Sequence, residues 1–429
     1  MKNLIYIITL FSVPLFFGIT SILGISYGGA ESSNLYRNYC IIIFVISMTF
    51  ILFGKQKRSP NGHSSTIIYW VLFIYIINGY FTGYTKDRGW LALIAFSFPA
   101  ACIGKYYAND CNNSLFKMAK HLDLLFVILT VCVISLSINL NSAVVVGDRE
   151  YSQSLSYYSA LSFLLDVFLL FYGKSFERLK FFKSKLIRIV YPCLLPVLIM
   201  IIFYAGGRGG FVVAAVGTLA IAFLYRKRRL TSWLWVVATS VTLSMLIPYV
   251  KDNASIDVAS TFDKNQKRVF AYIKYVDPTD EEESYTPIKI DMTETSGRDD
   301  VYKESWDMFL ERPATGYGLF RYKRILMYNY KMPYPHNLFL EWLLQGGILF
   351  FCIWFYVVCK MLIRLHRLIK HDKRYIVLLP FVVYAIVQLM FSGSYMQSSF
   401  FWFALSFSLN KKVSNHKFIL NRDNRFITA

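Results

Sequence analysis

The chain has six histidines, and five of them (His63, His121, His366, His371 and His416) lie in or beside Lys/Arg-rich connections. The sixth, His336, sits in Pro333-Tyr334-Pro335-His336-Asn337. Two prolines block helix until the residue after Pro335, so a helix begins at or next to His336. The positive end of a helix disfavours imidazolium, and a neutral imidazole is what a general base must be near neutral pH. An interfacial histidine bonded to a lipid headgroup is the plainer alternative. Arg208 lies in Gly206-Gly207-Arg208-Gly209-Gly210, where four glycines let backbone approach a ligand and leave the guanidinium unhindered; a tight helical hairpin with a snorkelling Arg would read the same way. Arg298 follows Ser296-Gly297 and precedes Asp299-Asp300. The Ser296 to Asp299 spacing is that of a capping box, and Pro313 ends the helix after Arg312. Arg298 then falls in a first turn, where free N–H groups and the dipole favour an anion and a guanidinium adds a bidentate phosphate donor. A surface pair with the adjacent aspartates is the alternative.

The helix that starts at Arg298 is expected to carry Tyr302, Trp306 and Phe309 on one face. It is followed by the turn-forming run Arg312-Pro313-Ala314-Thr315-Gly316-Tyr317-Gly318 and by the cationic set Arg321, Lys323 and Arg324. That set suits either anionic headgroups or a lipid-linked pyrophosphate. Asp166 and Glu341 are acids inside apolar stretches, which makes them functional candidates. Glu341, five residues after His336, could orient the imidazole, but that spacing is poorer than i, i+4 and argues against it.

The elements that must position these residues are membrane helices. Hydrophobic residues make up 55% and aromatic residues 18% of the 429, against 17% charged, a balance foreign to a soluble domain of this length. About 12 spans are expected, at roughly 3–25, 38–54, 65–83, 89–106, 122–141, 153–173, 189–206, 209–225, 231–249, 337–360, 375–393 and 396–409, each compared with a hydrocarbon core about 30 Å thick. The first run is too long for a cleavable signal core and reads as an uncleaved helix. Its division is 1–250 (nine transmembrane helices), 251–336 (one large, partly helical loop) and 337–429 (three further helices and a tail). Lys and Arg collect in alternate connections, including Lys55 to Arg58, Arg226 to Arg229, Lys360 to Arg374 and the tail. The positive-inside rule therefore puts both termini in the cytoplasm and the large loop outside.

The net charge of +20 is thus topological: Lys251 to Pro335 holds 13 Lys/Arg against 15 Asp/Glu, and the excess lies elsewhere. Basic residues spread over one membrane face call for no nucleic acid. None of the seven cysteines lies in the large loop, which argues against a disulfide-stapled or Cys-ligated outer domain. There is no Walker-type Gly loop, H-E-x-x-H or D-x-D pair, so no metal and no cofactor are expected.

Taken in order, Ser296-Gly297-Arg298, Glu311-Arg312-Pro313 through Gly316-Tyr317-Gly318, and His336-Asn337 followed by Gly346-Gly347 resemble the O-antigen ligase/polymerase superfamily, with Gly206 to Gly210 similar to its outward Arg motif. The motif resemblance covers residues 206 to 347. It implies an all-α polytopic membrane protein of the C-type glycosyltransferase kind, in the bacterial inner (cytoplasmic) membrane, performing inverting, metal-independent glycosyl transfer at the periplasmic face. The donor it implies is a polyprenyl-pyrophosphate-linked glycan. His336, Arg208 and Arg298 would be catalytic; Arg312, Arg321, Arg324, Asn337 and Glu341 would contact substrate. Membrane lipids, and the flippase and chain-length regulator of a lipopolysaccharide pathway, would be partners. Ligases of the superfamily tend to carry a small residue or Tyr where this chain has Phe350. That departure favours an O-antigen polymerase, with an O-antigen ligase as the alternative. A polyprenol-linked sugar flippase is the rival from another class, but its charged sites would be expected near the midplane, with repeat symmetry.

Overall fold

A computed structural model describes residues 2–25, 30–53, 63–84, 88–109, 118–138, 149–173, 176, 178–205, 208–223, 298–330 and 334–410. The ninth expected span, the loop before residue 298 and the C-terminal tail lie outside the described residues. Among those described, every regular element is helical. The helices are α1 (Lys2–Leu10), α2 (Ser12–Ile22), α3 (Ala30–Phe53), α4 (His63–Phe81), α5 (Arg88–Ala92), α6 (Phe98–Asn109), α7 (Leu122–Ile138), α8 (Arg149–Tyr172), α9 (Lys185–Tyr204), α10 (Arg208–Phe223), α11 (Arg298–Glu311), α12 (Arg321–Tyr330), α13 (Leu338–His371), α14 (Leu379–Phe391) and α15 (Ser399–Ser408).

Five helical segments among the described residues are long and apolar enough to cross a membrane, or six if the bent α1–α2 pair is one span. Five shorter apolar helices accompany them, including Leu122–Ile138 and Ser399–Ser408. The protein is an all-α, multi-pass membrane protein.

Proline chemistry explains where helices depart from straight rods. The first expected span is two helices meeting at 80°. Pro14 has no N–H to give the Leu10 carbonyl four residues back. That carbonyl instead accepts from the Ser399 hydroxyl of α15 at 2.7 Å, which ties the bend to the far end of the chain. Between α5 and α6 a single π turn, Leu93–Ser97, precedes Pro99. Widening the helix there relieves the clash of the proline ring with the carbonyl of residue 95.

Small residues set the closest helix contacts. A Cβ on Gly104 would lie 2.4 Å from the Phe403 carbonyl oxygen, so α6 and α15 touch backbone to backbone. Gly209 and Gly210 bring α10 close to α8, Gly209 against the Tyr157 side chain and Gly210 against the Ser156 side chain and carbonyl. Those two glycines of the Arg208 motif are thus used for helix packing. At another edge of the bundle, fully buried Asp123 accepts from Arg178 Nε at 2.9 Å, from Arg178 Nη2, and from the Tyr191 hydroxyl at 2.7 Å. A buried carboxylate is tolerable only with partners of this kind.

The element that shapes the site is α13. Its 34 residues would measure about 51 Å at 1.5 Å per residue, well beyond a core about 30 Å thick. It breaks at Gly346 (φ −148°, ψ 21°) and Gly347 (φ 67°, ψ −162°). The piece after the break is long enough to span alone, which leaves 338–345 as a short half-helix. Helices α11 and α12 pack on that half through Val301, Met308, Tyr322, Leu326 and Leu344.

Candidate active site

The break in α13 frees backbone groups, and the turn after α11 satisfies them. Tyr317 N–H donates to the Leu344 carbonyl at 2.7 Å, Gly318 N–H to Gln345 at 2.9 Å, and Ile348 N–H to the Pro313 carbonyl at 2.8 Å. The fit is backbone to backbone. A Cβ at Gly347 would stand 2.3 Å from the Pro313 oxygen, and one at Gly316 (φ 60°) 2.6 Å from the Gly346 nitrogen. The two sequence motifs, the Glu311–Gly318 run and Gly346-Gly347, are therefore halves of one joint.

His336 stands at the other end of the half-helix. Asn337 is the N-cap of α13, its side-chain oxygen accepting from Phe339 N–H at 2.9 Å and Leu340 N–H at 3.3 Å. His336 precedes it at φ 54°, and no other described residue except glycine has positive φ. Such a backbone is costly for a residue with a Cβ and is held only where its surroundings over-determine it, often at functional sites. The residue is 6% exposed. Its ring lies 4.5 Å from that of Tyr334, and its carbonyl accepts from the Tyr302 hydroxyl at 3.4 Å.

Tyr302 links two of the three expected catalytic positions. Arg298 is the first residue of α11, and Tyr302, four residues later, is on the same helix face one turn on. The bond from Tyr302 to His336 thus brings the N-terminus of α11 to the N-terminus of α13. Arg208 is the first residue of α10. For Arg208 and Arg298 only the backbone is described, and each starts a helix.

Other expectations are redistributed. On α11 the packed face is Val301, Ser305, Met308 and Phe309, while Trp306 is 48% exposed. Aromatic spacing suggested a different face, but Val301 and Met308 are the side chains that meet Leu344 and Tyr322. Glu341, a candidate for orienting the imidazole, has other partners: the Tyr322 hydroxyl at 2.8 Å, the Ser394 hydroxyl, and Gln345 Nε2 at 3.5 Å. At five residues from His336 it lies on another face of the helix. Gln345 continues the network to Tyr395, whose hydroxyl meets that of Tyr75 at 2.9 Å. Tyr322, Ser394 and Tyr395 were missed from sequence because they reach the site from α12 and from the α14–α15 connection, and Gln345, on the half-helix itself, because its partners lie there.

The remaining candidates are at the surface of this end. Arg312 lies over the Tyr317 ring at 5.0 Å, and the Tyr317 hydroxyl donates to Glu311. Burial and then that carboxylate push the Tyr317 phenol up to about 12. Arg324 donates to the Thr82 carbonyl at 2.8 Å and lies over Tyr84 at 5.1 Å, which ties α12 to the end of α4. Arg321 is exposed in the first turn of α12. The structure thus collects His336, Asn337, Arg298 and the three outer arginines on the elements around the half-helix.

Residues 193–355 match the family model described as O-Antigen ligase. That stretch is similar to the O-antigen ligase/polymerase superfamily, and the match supports the resemblance carried by the motifs. The match spans Arg208, Arg298, the joint at Gly347, and His336. No curated protein and no solved structure matches the chain. The superfamily comprises glycosyltransferase-like enzymes acting on lipid-linked glycans in membranes.

Proposed function

We propose that the protein is an O-antigen polymerase, joining polyprenyl-pyrophosphate-linked repeat units at the periplasmic face of the inner membrane by metal-independent, inverting glycosyl transfer, with both termini in the cytoplasm. The observation that carries this reading is the placement of His336: buried, fixed in a left-handed conformation at the start of a half-helix, and bonded through Tyr302 to the helix that Arg298 begins. In the reaction, His336 takes the proton of the acceptor hydroxyl as that oxygen attacks the anomeric carbon of the donor. The bond from that carbon to the pyrophosphate oxygen breaks on the opposite face, and polyprenyl pyrophosphate leaves with the electron pair. Arg208 and Arg298, each opening a helix whose N–H groups already favour an anion, stabilise the charge that develops. Arg312, Arg321, Arg324 and Asn337 are assigned to the substrate's approach.

Polymerase is favoured over ligase by Phe350. It sits one turn past the break, where a Cβ on Gly346 would lie 2.6 Å from its own Cβ, and its ring is 6.3 Å from Trp354. A side chain at that position packs directly against the break. The ligase reading is supported by the description of the matching family. The two differ in what accumulates when the gene is deleted. Loss of a polymerase leaves lipopolysaccharide capped by one repeat, and loss of a ligase leaves bare core with polymer on the carrier lipid. Gel analysis of a deletion strain is expected to show the single-repeat band; bare core would replace the polymerase assignment by the ligase one.

A further inference from the structure

Two charged side chains lie buried where the half-helix that follows His336 meets α12, one on each element. Glu341 is 1% and Lys323 3% exposed. Glu341 accepts hydroxyl protons from Tyr322, on α12, and from Ser394, in the α14–α15 connection. One carboxylate thereby fastens the half-helix to two separate elements. Lys323 directly follows Tyr322, whose hydroxyl bonds Glu341; no direct ion pair joins the two charged groups, and the Lys323 ammonium lies over the Phe320 ring at 5.4 Å. Arg321 and Arg324, on the same helix, face outwards, so Lys323 alone of the cationic set is directed inwards.

Burying either charge without the other is strongly unfavourable, whereas removing both together is often tolerated. This asymmetry gives the pair a recognisable signature. The half-helix is short, and its far end is fixed by the Gly347 joint. A shift of its middle turn therefore moves His336, and misplacement by about 1 Å can cost about 100-fold in rate.

We propose that Glu341 and Lys323, two buried and opposite charges without direct contact, together position His336, with the carboxylate pinning the 338–345 half-helix to α12 and the α14–α15 connection and the ammonium of α12 offsetting its charge. The proposal rests on His336 acting as the base. It reassigns Glu341 from substrate contact to positioning and gives Lys323 a role distinct from that of its exposed neighbours.

The test uses the purified full-length protein and, as substrate, the lipid-linked glycan extracted from cells lacking the gene. Glu341→Gln and Lys323→Met should each lower kcat by about 10- to 100-fold while KM stays within about threefold, as expected for a lost transition-state geometry. The double variant should regain at least about tenfold over the weaker single one, because no charge is left uncompensated. Tyr322→Phe, which keeps both charges and removes one bond to Glu341, should give a smaller loss of kcat in the same direction. Melting of each variant in detergent separates global unfolding from local misplacement. Wild-type kcat in both single variants, or a double variant no better than the weaker single, would overturn the pair. So would a rise in KM at unchanged kcat in Lys323→Met, which would place the ammonium on the substrate. His336→Ala, run alongside, keeps the two questions apart: activity there removes the base assignment itself, whatever the pair does.

Discussion

Gly347→Ala should unseat the joint between the Arg312–Gly318 turn and α13. At φ 67° and ψ −162° alanine occupies a region open essentially to glycine, at a cost of about 1–3 kcal/mol. Its Cβ would also sit 2.3 Å from the Pro313 oxygen and 2.6 Å from the Ala314 carbonyl carbon. Both are backbone atoms and cannot swing aside. Lifting the turn away breaks three hydrogen bonds, those of Tyr317, Gly318 and Ile348, each worth about 1 kcal/mol net. The combined loss is about 4–6 kcal/mol, an upper range because a partial shift would keep some bonds. Gly316→Ala meets the Gly346 nitrogen at 2.6 Å and should behave alike. Gly318→Ala is the control: its φ is 88°, but nothing lies within 4 Å of the added carbon, so only the conformational cost of about 1–2 kcal/mol applies. Thermal unfolding of the three variants in detergent, with transfer activity below the transition, reads this ordering. If Gly347→Ala proves as stable and active as Gly318→Ala, the joint does not carry the weight assigned to it.

Arg298→Ala should reduce transfer by at least about 100-fold, the scale of removing one transition-state donor, and Arg298→Lys should restore little of it because an ammonium cannot bind bidentately; near-complete rescue by Lys would reduce the role to point charge. Tyr317 carries a pH signature: its folded-state pKa is raised from 10 to about 12, so the stability it contributes is fully present below about pH 10 and is lost as pH rises through about 12. The melting difference between wild type and Tyr317→Phe should be constant at lower pH and shrink across that window; a difference that grows there would contradict the assignment. Excess chelator should leave product formation by the purified protein unchanged, and loss of activity restored by added divalent ion would refute metal-independent transfer.

His336 at a helix start was legible because proline restrains its own φ and the residue before it, and two prolines flank Tyr334 just upstream. The class of the protein was legible in the same way, since apolar runs of membrane-spanning length follow from the bilayer's thickness. Gly346-Gly347 was visible as a pair, but not what it served. The freed carbonyls of Leu344 and Gln345 meet a turn some thirty residues earlier, and such pairing depends on three-dimensional closure. Glu341 shows the same limit, since Ser394 is 53 residues away in the chain and nothing in the local string near Glu341 points to it. The 80° bend before Pro14 also escaped a hydropathy reading, which registers apolar length and is blind to direction. For α11, aromatic spacing picked a face that includes Trp306, whereas shape fit to Leu344 selected Val301 and Met308.

We assign His336 as the base of a glycosyl transfer from a lipid-linked pyrophosphate donor. The direct measurement is turnover of the extracted lipid-linked glycan by purified wild type and by His336→Ala, reading elongated glycan and released polyprenyl pyrophosphate together. In His336→Ala both products should fall together by about 100-fold or more, within the span attributed to general-base catalysis, while the protein remains folded. Elongated glycan and polyprenyl pyrophosphate formed at the wild-type rate by His336→Ala would contradict it.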